Sequence, residues 1–520
     1  MRLTSRTFCQ MLAGIALLMA PALPILAQTI SEPQTSTYTG MSGMNAGLSG
    51  ICYAGGTQYY ACDDSGGVMQ PATIAVDLSN GRISSAAFAT QVYLGGSDLE
   101  GIAYNPARNS VFVSDESGAT IKECTTTGTY RTTVSVPQIF KSFRGNYSLE
   151  ALTIRGDGLE MWTCNEEALY NASHGVDDGP LSTASAGTVI RLQRFSRSHV
   201  DGTWVANGQW AYLTQSYRGD GPFISEERSG VSGLCVLPDG TLLVLERSAG
   251  GYFPSFENVI YKVNFAGATD TSNIQSLNGA SYTRVTKEQL WKRNFGINYN
   301  FEGICLGPRL NDGSTSILLI ADGDSPAKNG LFALKLNGMT IRNLTVSTPY
   351  GPDEPVSGMY RYMQGASVTH SVNSPIPVGT TTQRVCTGWV MTGGNTPASG
   401  TTSSVTTTVN NDGELTWQWE TQYKLAVEAW GTGTTSHTNE WHAANATVSL
   451  YAYPPEQRRS PITFVGWIGE VPAGQSATNN PIYVPMSKGR TLSLCFPTVP
   501  RARGLISRLS RVRTVSMSSS

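Results

Sequence analysis

The sequence predicts an all-β protein, a β-propeller of about six blades followed by one or more small β-sandwich-like modules. Three observations predict it. Only 14% of the 520 residues are charged while 55 are glycine, a composition rich in turns that excludes a helical bundle, a coiled coil or a disordered chain. A phrase of an apolar residue, a polar residue, Gly or Ala, and a second apolar residue occurs five times. Apolar runs with the two-residue period of strands follow the copies.

The copies are Leu48-Ser49-Gly50-Ile51, Leu99-Glu100-Gly101-Ile102, Leu149-Glu150-Ala151-Leu152, Val231-Ser232-Gly233-Leu234 and Phe301-Glu302-Gly303-Ile304, starting 51, 50, 82 and 70 residues apart. After each comes a turn, often Gly-rich as in Pro238-Asp239-Gly240, and a second strand ending in polar residues. Those ends are Cys62-Asp63-Asp64, Ser114-Asp115-Glu116, Cys164-Asn165-Glu166, Leu245-Glu246-Arg247, and Ala321-Asp322 with Asp324. Third runs such as Asn258–Val263 and Gly330–Leu336 complete units of three or four short strands, which read as blades. The longer third interval holds a Gly/Ser/Asp-rich insertion from Tyr170 to Thr188. Ring closure by strands borrowed from both ends of the domain, residues 28–345, brings the expected count to about six.

Outside the propeller the chain reads in four pieces. Residues 1–27 have the pattern of a secretory signal peptide: Arg2 and Arg6, the apolar run Met11–Ala20, Pro21 and Pro24, and small Ala27 before Gln28. The run is shorter than the roughly 20 apolar residues of a membrane span, so no transmembrane segment is expected in the mature chain. Export places it outside the cell, in a periplasm or at a bacterial surface. Residues 346–415 are a Thr/Ser/Gly-rich β module or linker marked by Pro349, Pro352 and Pro355; 416–497 carry aromatic-centred strands; 498–520 form a basic tail expected to be disordered. With 36 Lys+Arg against 38 Asp+Glu, the chain has no basic field for nucleic acid.

Cys52, Cys235 and Cys305 occupy the repeat position of Ala103 and Thr153, a small-residue slot inside a blade. They are therefore expected as buried free thiols, with a Cys52–Cys62 pair left open. Because one repeat position in every blade converges on the central axis, Glu100, Glu150 and Glu302 form part of a ring, with the strand-end acids beside it. Two readings stand: these acids cap turns through backbone N–H groups, or they bind cations, with Ca²⁺ or Mg²⁺ favoured by oxygen donors. His174, His199, His370, His437 and His442 show no ligand spacing and no zinc motif occurs, so zinc is not expected. Gly-x-Ser-x-Gly and Gly-x-x-x-x-Gly-Lys are absent as well, which argues against a serine hydrolase and a nucleotide site.

Asp98-Leu99-Glu100-Gly101-Ile102, Val113-Ser114-Asp115-Glu116, Ser148-Leu149-Glu150-Ala151-Leu152, Asn165-Glu166, Leu243–Arg247, Asn300–Ile304 and Ala321-Asp322 resemble the phytase-like, esterase-like propeller domain of secreted bacterial proteins over about residues 45–340. The resemblance implies hydrolysis of a small phosphorylated or ester substrate with clustered Ca²⁺. It implies metal ligation by Glu100, Asp115, Glu116, Glu150, Glu166, Glu246, Glu302, Asp322 and Asp324, and a catalytic pair in Glu246 and Arg247, the arginine neutralising a phosphate oxygen. Ser49 and Ser232 depart from the Glu of the other copies. The alternative is a non-catalytic propeller that binds a ligand or a surface glycan. Thr416-Trp417-Gln418-Trp419, Gly466-Trp467 with Gly469-Glu470, and Pro481-Ile482 to Met486 resemble a divergent internalin B-type repeat, which implies spacing or adhesion.

Overall fold

The computed structural model describes residues 27–33, 37–38, 41–145, 147–198, 202–217, 228–250, 255–295, 299–323, 329–349, 357–430, 433–455 and 463–496. Residues 1–26 of the expected signal segment, His199, Asp324, Pro352, Pro355 and the basic tail lie outside them. The chain divides into two units, the first comprising residues up to 368 with 391–398 and 406–415, the second 369–390, 399–405 and the chain from 416. No helix among the described residues is long and apolar enough to cross a membrane.

The first unit contains a propeller of five blades, each an antiparallel sheet of four or five strands. Strands β1 (Thr29–Ser31) and β2 (Thr37–Tyr38) precede blade 1, formed by β3 (Leu48–Gly55), β4 (Gln58–Asp63), β5 (Val68–Val76) and β6 (Ile83–Phe88), with β7 (Val92–Tyr93) added to β5. Blade 2 comprises β8 (Leu99–Asn105), β9 (Ser110–Asp115), β10 (Thr120–Thr125) and β11 (Tyr130–Val134). Blade 3 comprises β12 (Leu149–Ile154), β13 (Glu160–Asn165) and, after a small hairpin of β14 (Tyr170–Asn171) and β15 (Val176–Asp177), β16 (Val189–Ser196) and β17 (Val205–Leu213). That hairpin lies in the insertion expected from the long third interval, and the insertion is anchored by a buried Arg191–Asp178 ion pair at 2.7 Å.

Blade 4 comprises β18 (Arg228–Val236), β19 (Leu242–Gly250), β20 (Ser255–Asn264) and β21 (Thr286–Asn294); blade 5 comprises β22 (Asn300–Arg309), β23 (Thr315–Asp322) and β24 (Gly330–Asn337). The expectation of about six blades is corrected to five. The borrowed strand does exist: β1 pairs with β24 in the register Thr29↔Asn337, Ile30↔Leu336, Ser31↔Lys335. It completes the fifth blade, which has only three strands of its own, and adds no sixth.

The two-residue period explains the packing. In β19, Leu243 and Leu245 face Phe301, Ile304 and Leu319 of blade 5, while Leu242 and Val244 face Trp162, Leu192 and Tyr212 of blade 3. Blades 5 and 1 share Leu318, Ile320, Leu331, Ile51, Tyr59 and Ile74, blades 1 and 2 share Cys62, Met69, Ile102 and Val113, and blades 2 and 3 share Phe112, Ile121, Leu152 and Phe195. Every inner strand is thus buried on both faces, which is why these strands read as continuous apolar runs. Cys52, Cys62, Cys164, Cys235 and Cys305 are buried free thiols in these layers, as the small-slot argument expects, and Cys124 is a further buried free thiol.

In the second unit, the part of the long strand Gly413–Trp430 from Thr416 onward pairs antiparallel with Glu440–Ala443 and parallel with Arg490–Cys495. The latter pairs antiparallel with Gly466–Gly469, giving a mixed sheet over a core that includes Leu425, Val448, Trp467, Val484 and Leu494.

The innermost strands β3, β8, β12, β18 and β22 neighbour one another in turn, and β22 returns to β3. A ring of five is narrow, and the small residue of the phrase sits where neighbouring backbones meet. A Cβ on Gly101 would lie 2.4 Å from the amide nitrogen of Leu152 and 2.7 Å from the carbonyl carbon of Ala151. Gly101→Ala is therefore expected to destabilise the protein by about 1–3 kcal/mol, while Ala151→Gly, at the same position of blade 3, costs about 1 kcal/mol or less. Urea unfolding midpoints of the two variants check this order.

Candidate functional site

Each phrase carries a β-bulge. The register between the two innermost strands of every blade slips at Leu48/Gly50, Leu99/Ile102, Leu149/Ala151, Val231/Gly233 and Phe301/Gly303. The polar residue of the phrase is left without a ladder partner and points to the axis, a re-aiming that bulges commonly provide. Ser49, Glu100, Ser232 and Glu302 line the narrow space at the axis, Glu150 clusters with Glu100 and Glu302, and all five are buried. In the five-fold order Glu100 and Glu150 are neighbours and Glu302 lies across the channel from them. One carboxylate oxygen from each of the three comes within 4.8 Å of the other two.

Ladder register then sorts the strand-end residues. Asp63, Asp115, Asn165, Glu246 and Ala321 each pair with the first apolar residue of a phrase. Alternation turns this position away from the axis. Asp63 accepts the Ser65 N–H, Asp115 accepts the Ser117 hydroxyl, and Asn165 accepts the Arg191 N–H at 2.8 Å. Glu246, fully buried, takes the Tyr212 hydroxyl, the Gln215 N–H and the Lys287 ammonium. The structure therefore does not bring Glu246 into the acidic cluster. Asp115 also serves a turn, although Asp98 beside it reaches toward the ring.

The next residue in each blade forms a second ring: Asp64, Glu116, Glu166, Arg247 and Asp322. Glu116 and Glu166 join Glu150 with oxygens within 4.8 Å of one another, and Asp98, Glu100 and Glu116 form a further group. In blade 4 the small Ser232 is matched by Arg247, whose Nη2 reaches Glu166 of blade 3 and Glu302 of blade 5, each at 3.0 Å. Its Nε is buried without a hydrogen-bond partner. Asn300 links Glu302 at 2.8 Å to Asp322 at 3.4 Å. Glu116 Oε1 accepts the Ser148 N–H at 2.7 Å, so both sequence readings, turn capping and clustering, meet in that side chain. Asp64, one of the strand-end acids, completes the group with Asp98 and Arg228, which the repeat positions do not single out; Arg228 Nη2 lies 3.5 Å from Glu166.

Burial first, and neighbouring carboxylates second, hold Glu100 and Glu150 far above the ordinary glutamate range. The same causes push Glu116 up to about 8 and Asp64 to about 6. Burial raises Glu302 to about 7 against the opposing pull of Arg247. Five buried glutamates thus face Arg247 and Arg228, and the excess is met by protons or by cations. A hard divalent ion such as Ca²⁺ fits the residues present: the donors are all carboxylate oxygens, and two oxygens on one Ca²⁺ at about 2.3–2.6 Å are at most about 5 Å apart.

The other end of the channel is different in kind. A cavity of about 90 Å³ there is lined by Cys52, Tyr53, Tyr104, Cys235, Cys305 and Arg361 among others. The hairpin of Ile341–Ser347 and Gly358–Met363 covers it, with Arg361 donating to the Gly307 carbonyl at 2.7 Å. The carboxylates lie at the opposite mouth.

These shifts give stability a pH dependence with a definite sign. A glutamate raised in the folded state holds its proton more tightly there than in the unfolded chain. Its contribution is complete below about pH 4.5 and is lost as pH rises through the folded value, about 7 for Glu302 and about 8 for Glu116. With divalent cations removed, Tm is expected to fall as pH rises from about 4.5 to 8, and added Ca²⁺ to flatten or reverse that slope; calorimetry with EGTA and with Ca²⁺ measures both.

Comparison with known proteins agrees with this geometry. A family model described as phytase-like, "esterase-like activity of phytase", matches residues 45–325, which span the five phrases and both rings of side chains. A comparison with curated proteins finds no match. Among solved structures the chain is similar to Kuenenia stuttgartiensis hydrazine synthase, at 11% identity over 53% of this chain and 77% of that one, with a TM-score of 0.26. It is also similar to a luciferin-regenerating enzyme, at 13% identity over 60% and 95% of the two chains, again with a TM-score of 0.26. Likeness of that degree carries no information on activity. The family match covers more than half of the chain and the whole repeat pattern, and the protein belongs to the phytase-like family.

Proposed function

We propose that the protein is an exported, Ca²⁺-dependent esterase or phosphoesterase acting at the acidic mouth of the propeller. The observation that carries the reading is the convergence of Glu100, Glu150, Glu302, Glu116 and Glu166 around Arg247 at the axis. Bound there, calcium supplies charge neutralisation and a water of lowered pKa. The carboxylates are its holders. Arg247 is the residue that orients the substrate: its Nη2 is held by Glu166 and Glu302, and its unpartnered Nε remains for a phosphate or carbonyl oxygen. Glu116, protonated at neutral pH before a cation enters, can hold a proton at the carboxylate oxygen that does not accept the Ser148 N–H. Within the same reading, residues 1–27 direct export and residues 416–497 serve as a spacing or adhesion module.

The test is turnover of phytate and of simple phosphate and carboxylate esters by the chain lacking residues 1–27, in Ca²⁺ and in EGTA. Chelator-sensitive turnover is expected, and Arg247→Gln should lower kcat/KM by about 100-fold, the scale of a lost charge-stabilising donor. Folded protein with no turnover on any of these esters overturns the enzyme reading in favour of a binding propeller. Calcium affinity separates the two rings of acids. Glu150→Gln is expected to weaken it at least about tenfold, while Glu246→Gln leaves it unchanged and lowers stability by about 1–3 kcal/mol through the lost charged hydrogen bonds.

A further inference from the structure

The second unit brings together two histidines and a glutamate that their spacing in the sequence does not reveal. Glu440 and His442 lie two apart on the strand Glu440–Ala443, so both side chains leave the same face. That strand is fixed by its pairing with the long central strand, Glu440 opposite Leu425 and His442 opposite Tyr423. His437 reaches the same face from the preceding turn, which is held in place by Ser436: its N–H donates to the Tyr451 carbonyl at 3.0 Å and its hydroxyl accepts the Tyr451 N–H at 2.9 Å. Thr435 Oγ1 donates to the His437 carbonyl, and the Thr438 N–H donates to Glu440 Oε1 at 3.3 Å.

One donor atom from each of His437, Glu440 and His442 lies within 4.8 Å of the other two. His437 Nδ1 is 2.9 Å from Glu440 Oε2, and His442 Nε2 is 3.8 Å from the same oxygen. Bonds of about 2.0–2.1 Å to a tetrahedral zinc set its ligands roughly 3.3 Å apart, so these separations need only small rotations to close on one ion. A second observation is independent of the clustering. His442 Nε2 is buried and has no hydrogen-bond partner, an arrangement that costs free energy unless something satisfies the nitrogen.

We propose that His437, Glu440 and His442 form a binding site for a divalent transition-metal ion of the zinc class, with one coordination position left open to water or to a ligand atom. Two imidazoles and a carboxylate suit such an ion and not calcium, whose sites are built of oxygens. The site is thus chemically distinct from the acidic mouth of the propeller, and it reverses the sequence-based expectation that the histidines hold no metal. That expectation rests on the absence of zinc-motif spacing along the chain, whereas here a strand and a turn bring the donors together.

The experiment is titration of the full chain lacking residues 1–27 with Co²⁺ and with Zn²⁺ in excess Ca²⁺, which occupies oxygen-only sites. One equivalent of Co²⁺ per chain with the visible absorption of an imidazole-ligated ion, displaced by Zn²⁺, is expected. His442→Ala should abolish the absorption and His437→Gln, at a half-exposed turn position, should weaken binding at least tenfold. Glu150→Gln in the propeller should leave it unchanged. Far-UV circular dichroism of each variant establishes folding. The proposal is overturned if the wild-type chain takes up no stoichiometric Co²⁺ under these conditions, or if the folded His442→Ala and His437→Gln variants keep the wild-type spectrum and affinity.

Discussion

The close approach of five innermost strands around one axis is the constraint on which the rest of the propeller depends. With the Gly101 backbone so near that of Leu152, even a methyl group at Gly101 would press on the neighbouring strand. The same tightness goes with a bulge at every phrase, because the residue before the small one cannot stay in the ladder and keep its side chain between blades. Each bulge turns that residue to the axis. A backbone requirement repeated five times thereby produces a ring of side chains, and the chemistry of the mouth follows from what occupies it.

Glutamate in three of those positions is costly, since desolvation and mutual repulsion both oppose ionisation. Extensive apolar interfaces between all five pairs of blades offset that cost and hold the carboxylates where they would otherwise separate. Blade 4 departs from the pattern in a compensating way: Ser232 is small and Arg247 fills the space, spanning to carboxylates of both neighbouring blades. In blade 4 the missing glutamate and the presence of Arg247 are two aspects of one arrangement.

Much of this was legible along the chain. The five phrases fixed the number of inner strands, and the cysteines at small-residue slots are the buried thiols expected there. The sequence suggests about six blades because closure by a borrowed strand looks like an added blade; β1 instead completes the fifth. The strand-end acids form a single set in the sequence because two adjacent acids look alike there. In the ladder they have opposite parity, so Glu116 and Glu166 face the axis while Asp115 and Glu246 serve turns and blade contacts. The histidines of the second unit show no pattern in the sequence for a related reason: the turn that brings His437 back to Glu440 leaves no periodic trace.

What the sequence determined by itself is what depends on local pattern: strands from two-residue alternation, turns from Gly and Asp, and a repeated unit from the phrase. Tertiary structure alone decided which polar side chains meet. Proximity across blades, as between Glu100 and Glu302 or between Arg247 and its two carboxylates, joins residues far apart in the chain through ring closure and bulge geometry. Neither is encoded in any one repeat, because the charge a carboxylate carries at the axis depends on its neighbours in the other four.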